Sequence, residues 1–497
     1  MNPDNLPVIV GVGQVNDRPQ DPTQGLNPVG LMAAALRKAE SDAGANGLLA
    51  DADWLGVVRQ ISFPDIADAA PPVAEVIGAD RAETFQTHGP NGDSPVMLLN
   101  EAANRIGAGE ITVALVSGAE ALRTAAAKVA AAEGGRKLDA TREASHRRKL
   151  GYAQSHGLVA PVDVYPLYEN ALRASLGQTF EEAQAESGAI WSLFSEVAAA
   201  NENAWIRKPV RAEDVVAPSD KNRPIAWPYT KLQVANAAVN QGAGFIVTSV
   251  GEARRRGIPE DKWIYVGNGA AAHECEDFLS RDRFDRSPSM EVSIRRTLDL
   301  NALKPSDFDA VELYSCFPCI PKLARRVIDW PLDRPATVFG GLTFGGGPIG
   351  NYMSHAIDSM VDLLRAKGGT GLLFANGGFA THNHTIAVSS KPIAAASFPK
   401  SYEFQAEADA ARGNIPAMDE GYVGPAIIET FTVFHHRDGS PRAGVIVART
   451  PSGDRTLAHV PGEDVDTIAR LTSGEMEPVG ASGTIEPGEP LRLWRFA

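Results

Sequence analysis

Three short stretches hold residue types that could do chemistry. "HGPNGDSP" (88–95) stands directly ahead of "VMLLNEAANRIGAGE", a run of helical period closed by glycines, and offers His88 as a base but no cysteine. A loop that opens a helix gathers backbone N–H groups and the positive end of the helix dipole, so it suits a developing anion. "CFPC" (316–319) has the CxxC spacing of redox pairs and zinc sites. A zinc site needs a second ligand pair, and Cys275 with His382 and His384 of "THNH" match no common zinc spacing, so the pattern reads as buried, unpaired cysteines. "GGLTFGGGPIG" (340–350) places Gly345, Gly347 and Gly350 in GxGxxG spacing. Pro348 lies inside it and it falls late in the chain, which argues against a dinucleotide fingerprint; no Lys-Ser/Thr follows, which excludes a P-loop.

The chain that must position these loops has 497 residues, 44% hydrophobic and 22% charged, enough for two or three domains with full cores. Its net charge of −14 opposes binding to nucleic acid or an anionic membrane surface. Three cysteines are too few for a disulfide framework, the start lacks a signal-peptide pattern, and no apolar run reaches the roughly 18 residues of a membrane span. A cytoplasmic protein acting on small molecules is the expectation.

Apolar runs ending in glycine alternate with helical segments, the pattern of parallel βαβ units. Strands are expected at 7–15, 54–63 and 111–121, with helices over "NPVGLMAAALRKAESDAG" and from about Ser94 to Ile106. The same grammar returns with strands at 263–271, 308–316 and 370–380 and a helix over "NYMSHAIDSMVDLLRAKGG". "TGLLFANGGFA" repeats the design of "ITVALVSGAEA": helix, glycine stop, apolar strand, small-residue tip. An internal duplication of two α/β halves follows, with 1–122 and 242–262 as the first half and 263–396 as the second. The connecting segment 123–241, with basic spots in "RRKLGYAQSHG" (147–157), "RKPVR" (207–211) and "KNRPIAWPYTKL" (221–232), reads as a lid or ligand-binding subdomain. Residues 397–497 change to short β-branched and aromatic runs between turns, the mark of a small antiparallel β-barrel. With 8 Lys/Arg against 15 Asp/Glu over 401–497, this barrel is not a nucleic-acid binder.

These tips and "NRPIAWPYTKL", "GGPIGNYMSHA" and "FANGGFATH" together resemble the thiolase superfamily over residues 5–392, nearest to the sterol-carrier-protein type and to thiolase-like proteins with an additional C-terminal β-domain. The resemblance implies a duplicated α/β fold of two βαβαβαββ halves with an inserted loop domain that binds coenzyme A, and an active site where four loops meet. It places Gly92 at the nucleophilic cysteine, with Ser94 two residues on. Tyr314-Ser315-Cys316-Phe317 takes the place of the second loop, Asn-Glu-Ala-Phe or His-Asp-Cys-Phe in the family. Gly347 stands where the family has the activating histidine, and Ala375, ahead of Asn376 and Gly377, stands where it has the acid/base cysteine.

What the resemblance implies is therefore a member of the acetyl-CoA acetyltransferase family that binds an acyl-CoA but lacks the usual thiolase reaction. Gly92 cannot be acylated, Ala375 cannot take an α-proton, and the loss of histidine at 347 removes half of the usual oxyanion hole. Tyr314, Cys316 and Asn376 are left as candidate catalytic groups; Gly92, Ser94, Arg223, Lys231 and Gly377 are the implied contacts to the CoA ester. Tyr352, His355 and His382 lie in neighbouring loops. No metal is implied, and the core would form a homodimer as in the family or stay monomeric. Two other functions fit the same residues: a retro-aldolase that cleaves a β-hydroxyacyl-CoA through Tyr314, and a non-catalytic carrier or sensor of CoA esters.

Overall fold

The computed structural model describes residues 2–132 and 151–497, so the first four residues of "RRKLGYAQSHG" lie outside it. The first half of the core is built from β1 (Pro7–Asn16), β2 (Trp54–Val57), β3 (Glu83–Gln86) and β4 (Val113–Ala121). Two short strands of the inserted segment follow, β5 (Pro224–Ala226) and β6 (Tyr229–Thr230), and then β7 (Asn240–Ser249) returns to the core. The second half holds β8 (Ile264–His273), β9 (Ala310–Leu313), β10 (Thr370–Gly377) and β11 (His382–Ser389).

These strands form one nine-stranded mixed sheet in the order β3-β2-β4-β7-β1-β8-β11-β10-β9. The order β2-β4-β7-β1 is repeated as β9-β10-β11-β8, with the same sequence of one parallel and two antiparallel pairings in each half. The duplication read from the sequence is thus present in the topology, and β3 is the additional strand of the first half. Within the sheet the halves pair through Val8 with Tyr265 and Ile9 with Ile264 on β1 and β8.

The helices explain why the halves stay together. Helix Pro28–Ala43 packs on β1, β4 and β7, and helix Pro288–Asn301 packs on β8 and β11, so each half has its own outer cover. Helices Ser94–Ala108 and Tyr352–Lys367 touch each other and strands of both halves, which makes them a shared central layer. A helix buried on all sides must satisfy its polar groups internally. This is met in part: the buried His355 ring nitrogen Nδ1 pairs with Gln14 Oε1 at 2.8 Å and the buried Asp358 accepts the Gly13 N–H at 3.1 Å, while His355 Nε2 and Asp358 Oδ1 have no partner among the described residues.

Several expected elements are shorter than their apolar runs. The strand expected at 54–63 stops at Val57, because Gln60 and Glu120 capture the backbone N–H groups of Phe63, Ile61 and Ser62 and fold the chain into a loop. The strand expected at 308–316 ends at Leu313, and Tyr314 to Cys316 leave the sheet. Helix Ser94–Ala108 is stopped by Gly109 in the left-handed region (φ 74°), as its glycines indicate.

The C-terminal region is a closed five-stranded barrel of β12 (Gly424–His435), β13 (Pro441–Arg449), β14 (Arg455–Pro461), β15 (Ser482–Glu486) and β16 (Leu493–Phe496). Closure is by β12 with β13, and all its pairings are antiparallel except the single parallel contact of His459 with Leu493. The β5–β6 hairpin of the inserted segment continues this sheet by pairing Ala226 with Phe434. Arg455, fully buried on β14, fastens the barrel to the core. It gives Nε to Glu429 Oε2 at 2.8 Å and Nη2 to Glu429 Oε1 at 2.7 Å, and donates Nη1 to the carbonyls of Leu279 and Arg281. Among the described residues, no helix is long and apolar enough to cross a membrane.

Removing one partner of a buried ion pair leaves the other charged, desolvated and unmatched. Arg455→Ala leaves the Leu279 and Arg281 carbonyls without their donor and Glu429 with Arg449 as its remaining partner, so it is expected to lower stability by about 3 kcal/mol in urea titration. Arg455→Met, which keeps an aliphatic stem in the buried space, should fall short of the full loss.

Candidate functional site

The segments that gather at the site leave the C-terminal ends of parallel strands, where open α/β sheets place their ligands. After β3 the chain runs through "HGPNGD" into helix Ser94–Ala108. After β9 it forms the Tyr314–Pro318 loop ahead of helix Cys319–Val327. After β10 it turns at Gly377–Thr381, and the 340–350 loop meets the first loop where Gly350 packs against Pro90.

At the centre Gly92 and Gly377 approach backbone to backbone. A Cβ on Gly377 would stand 2.8 Å from the Gly92 nitrogen and 3.3 Å from Asp93 Oδ1, closer to nitrogen than real Cβ atoms come. A Cβ on Gly92 would overlap the Tyr314 hydroxyl and the Asn376 carbonyl oxygen and lie 2.6 Å from the ring carbon Cζ of Tyr314. The space in front of Gly92 is thus filled by the tyrosine side chain. By contrast, the nearest atoms to a Cβ on Gly347 are carbonyl oxygens at 3.4 Å, so that position has ordinary room.

The candidate catalytic groups differ in what they are free to do. Tyr314 is 5% exposed, and burial, with smaller contributions from Cys316 and Asp93, pushes its phenol well above the ordinary range, so it stays a hydroxyl and a donor. Among the described residues its hydroxyl has no hydrogen-bond partner. Cys316 is buried and its thiol is pushed up to about 12, chiefly by burial, so it is no thiolate near neutrality. Cys319 is buried as well, and Cys275 is exposed, so the reading of buried cysteines holds for two of the three. The Asn376 amide is engaged: Oδ1 faces the Tyr165 hydroxyl at 3.2 Å and Nδ2 donates to Asn383 Oδ1 at 2.9 Å. Ala375 lies buried in β10 opposite His384.

Ser94 lies inside the helix it introduces. Asp93 holds that place without a side-chain capping bond, Ser94 is the first helical residue, and the turn closes from the Ser94 N–H to the Asn91 carbonyl at 3.1 Å. Arg223 and Lys231 flank the β5–β6 hairpin, where the Lys231 N–H bonds the Arg223 carbonyl at 2.9 Å. That hairpin reaches the site loops through Tyr229, whose ring stacks on Phe317 with centroids 5.6 Å apart. Phe317 in turn stacks on Tyr165 at 4.4 Å. Beside the hairpin lies a cavity of about 570 Å³ walled by Phe180, Val216, Pro224, Trp227 and Tyr229.

Three groups at the site have no local signal in the sequence. Tyr165, on helix Pro161–Ser175, accepts the Ala380 N–H at 2.8 Å and holds the β10–β11 turn from a position more than 200 residues away. Asp93 is buried, which raises its carboxyl; His382 and His273 pull it back. Glu312, two residues before Tyr314, accepts the Tyr352 hydroxyl at 2.7 Å, the Thr337 hydroxyl at 2.8 Å and the Val338 N–H at 2.8 Å. The Tyr352 ring packs edge-on against Tyr314 at 5.7 Å. Among the described residues, no cluster of three or more His, Cys, Asp or Glu is arranged to hold a metal.

Two measurements follow. Burial lifts Glu312 from an ordinary 4.5 up to about 7, so folding takes up a proton there; its contribution is fully present below about pH 4.5 and is lost as pH rises through about 7. Relative to Glu312→Gln, the wild-type chain should lose about 3 kcal/mol across that window in denaturant titrations. Gly92→Ala should cost about 1–3 kcal/mol by overpacking against Tyr314 and the Asn376 carbonyl, read as a fall in Tm.

The model of the additional C-terminal domain of thiolase-like protein type 1 matches residues 405–489, which span most of the barrel. No curated protein matches the chain. Among solved structures, a monomeric SCP2-thiolase like protein type 1 from Mycobacterium smegmatis is 32% identical, covers 100% of both chains and superposes with a TM-score of 0.83. The Ltp2-ChsH2(DUF35) aldolase is similar in fold over 79% of this chain and 100% of that one, at 18% identity and a TM-score of 0.59. Human mitochondrial 3-ketoacyl-CoA thiolase is similar over 78% and 100%, at 15% identity and a TM-score of 0.57. With a relative 32% identical over its full length, a duplicated thiolase core and a matched additional domain, the chain belongs to the SCP2-thiolase-like proteins of type 1 in the thiolase superfamily.

Proposed function

We propose that this chain binds the thioester end of an acyl-CoA at the Gly92–Gly377 contact and does not perform thiolytic acyl transfer. The observation that carries the reading is Gly92 itself: it opens a helix, as an anion-stabilising loop does, but has no side chain, and the space for one holds Tyr314. Gly347 and Ala375 take the places of the family's activating histidine and acid/base cysteine. With Cys316 held as a neutral thiol, no group near the contact is a ready nucleophile. Arg223 and Lys231, side by side on the β5–β6 hairpin, are the residues to which we assign the phosphates of coenzyme A.

A second reading is favoured by Tyr314. In retro-aldol cleavage of a β-hydroxyacyl-CoA the β-hydroxyl proton passes to water as the Cα–Cβ bond breaks and the carbonyl forms, and the enolate then takes a proton at Cα; a buried phenol that stays protonated suits that second transfer and regains its proton from water, and one structural neighbour is described as an aldolase. Incubating the protein with a panel of acyl-CoAs, acetoacetyl-CoA plus CoA and β-hydroxyacyl-CoAs, followed by mass spectrometry and calorimetry, separates these. The expected result is binding of acyl-CoA with no protein acylation and no thiolysis above a no-enzyme control. Thiolytic turnover would overturn the proposal. Cleavage of a β-hydroxyacyl-CoA that is lost in Tyr314→Phe would select the aldolase.

A further inference from the structure

The cavity beside the β5–β6 hairpin has no part in the function above. Its volume of about 570 Å³ is that of a small-molecule site, for which roughly 300–1,000 Å³ is usual. One wall is aromatic: Trp227 and Phe180 are stacked with centroids 4.5 Å apart and planes 15° apart, and Tyr229 follows two residues on along the hairpin. Pro218, Pro224 and Val216 add further apolar surface. The wall is held from behind. The Tyr229 hydroxyl donates to Glu169 Oε2 at 2.9 Å, and Glu169 is paired with the buried Lys322.

The polar side chains of the cavity leave a ligand little to bond. Gln184 accepts from Gln233 Nε2 at 2.9 Å and donates to the Pro228 carbonyl at 3.3 Å, and the Thr230 hydroxyl donates to the Val215 carbonyl at 2.8 Å. Its charged side chains are two exposed carboxylates, Glu181 and Glu213, and Glu213 is paired with Arg211 at 3.1 Å. Among the described residues no Lys or Arg lines it. Carboxylates repel an anionic ligand, and apolar walls whose polar neighbours are already bonded disfavour an ion of either sign. The Tyr229 ring stacks on Phe317, Phe317 on Tyr165, and the Tyr165 hydroxyl meets Asn376 Oδ1 at 3.2 Å, so three buried rings separate the cavity from the Gly377 loop.

We propose that this cavity is a second ligand site, separate from the Gly92–Gly377 contact, and that it takes an uncharged, largely hydrocarbon molecule. Trp227, Phe180 and Pro224 are only half-buried, and a ligand seated there removes their apolar surface from water. The prolines fix the backbone of the wall and the Glu169 bond fixes Tyr229, so binding orders few protein groups. The proposal stands independently of the acyl-CoA reading.

The test uses N-phenyl-1-naphthylamine, an uncharged fluorescent hydrocarbon, beside 1-anilinonaphthalene-8-sulfonate, the same frame with a negative charge. Energy transfer from tryptophan reports binding, and decanol as a competitor asks whether an open chain is accepted in place of rings. The full chain should bind one uncharged probe, at least ~10-fold more tightly than the sulfonate. Ala185 lines the cavity from an exposed position on helix Phe180–Ala200, so Ala185→Phe should fill the space, keep the wild-type Tm and weaken the uncharged probe at least ~10-fold. Acetyl-CoA should leave the probe in place. No binding of the uncharged probe, equal binding of the sulfonate, or full affinity in a folded Ala185→Phe overturns the proposal. Displacement of the probe by acetyl-CoA would make the cavity part of the acyl-CoA site and overturn its separateness, while leaving the acyl-CoA reading intact.

Discussion

The close approach of Gly92 to Gly377 is the contact around which the molecule is arranged. Gly92 comes from the first half and opens the central helix Ser94–Ala108; Gly377 ends β10 in the second half. Their backbones meet only because neither carries a side chain, and the meeting fixes the two halves to each other at the end of the sheet where the site lies. The strand pairing at the centre of the sheet is short by comparison, two residue pairs between β1 and β8. Without the shared central helices and this loop contact, the halves would have little to hold their relative angle.

The barrel enters the same frame. Arg455 binds the Arg281 carbonyl at 2.7 Å, and the Arg281 guanidinium donates to the Phe379 carbonyl at 2.7 Å and the Ala380 carbonyl at 2.8 Å, in the turn after Gly377. Helix Pro161–Ser175 makes a second link: it takes the Thr430 hydroxyl on the Leu167 carbonyl at 2.6 Å and sends Tyr165 and Tyr168 into that turn. Behind it, the buried pair of Lys322 and Glu169, 2.5 Å apart, joins the inserted segment to the helix that follows Cys316. The additional domain is thus part of the scaffold that sets the fourth loop.

Periodicity made the repeated core legible, because each half buries its own helix face and alternates glycine stops with apolar strands. The Gly109 stop and the barrel strands with β-branched runs were equally open to reading. What escaped was decided by distant partners. β15, "SGTIE", is too polar to announce itself and is a strand because it fits between β12 and β16. The β5–β6 hairpin joins the barrel through one pairing more than 200 residues away. Tyr314 was visible as a candidate, but only packing shows that it fills the space before Gly92. Asp93 lay unnoticed inside the opening motif because an aspartate at a helix start reads as a cap, and here its buried side chain makes no capping bond.

These electrostatics bear on why the site differs in kind from one built around a thiolate. A thiolate needs a cation or a helix N-terminus to hold its charge, and a desolvated tyrosine or thiol resists taking one. Here the Tyr314 phenol fills the space before Gly92, and it and the buried Cys316 and Cys319 thiols all stay neutral. The charge a helix N-terminus can still favour in such a place is a transient one, on an oxygen that gains electron density. A neutral phenol in that place is a hydrogen-bond donor and not a nucleophile.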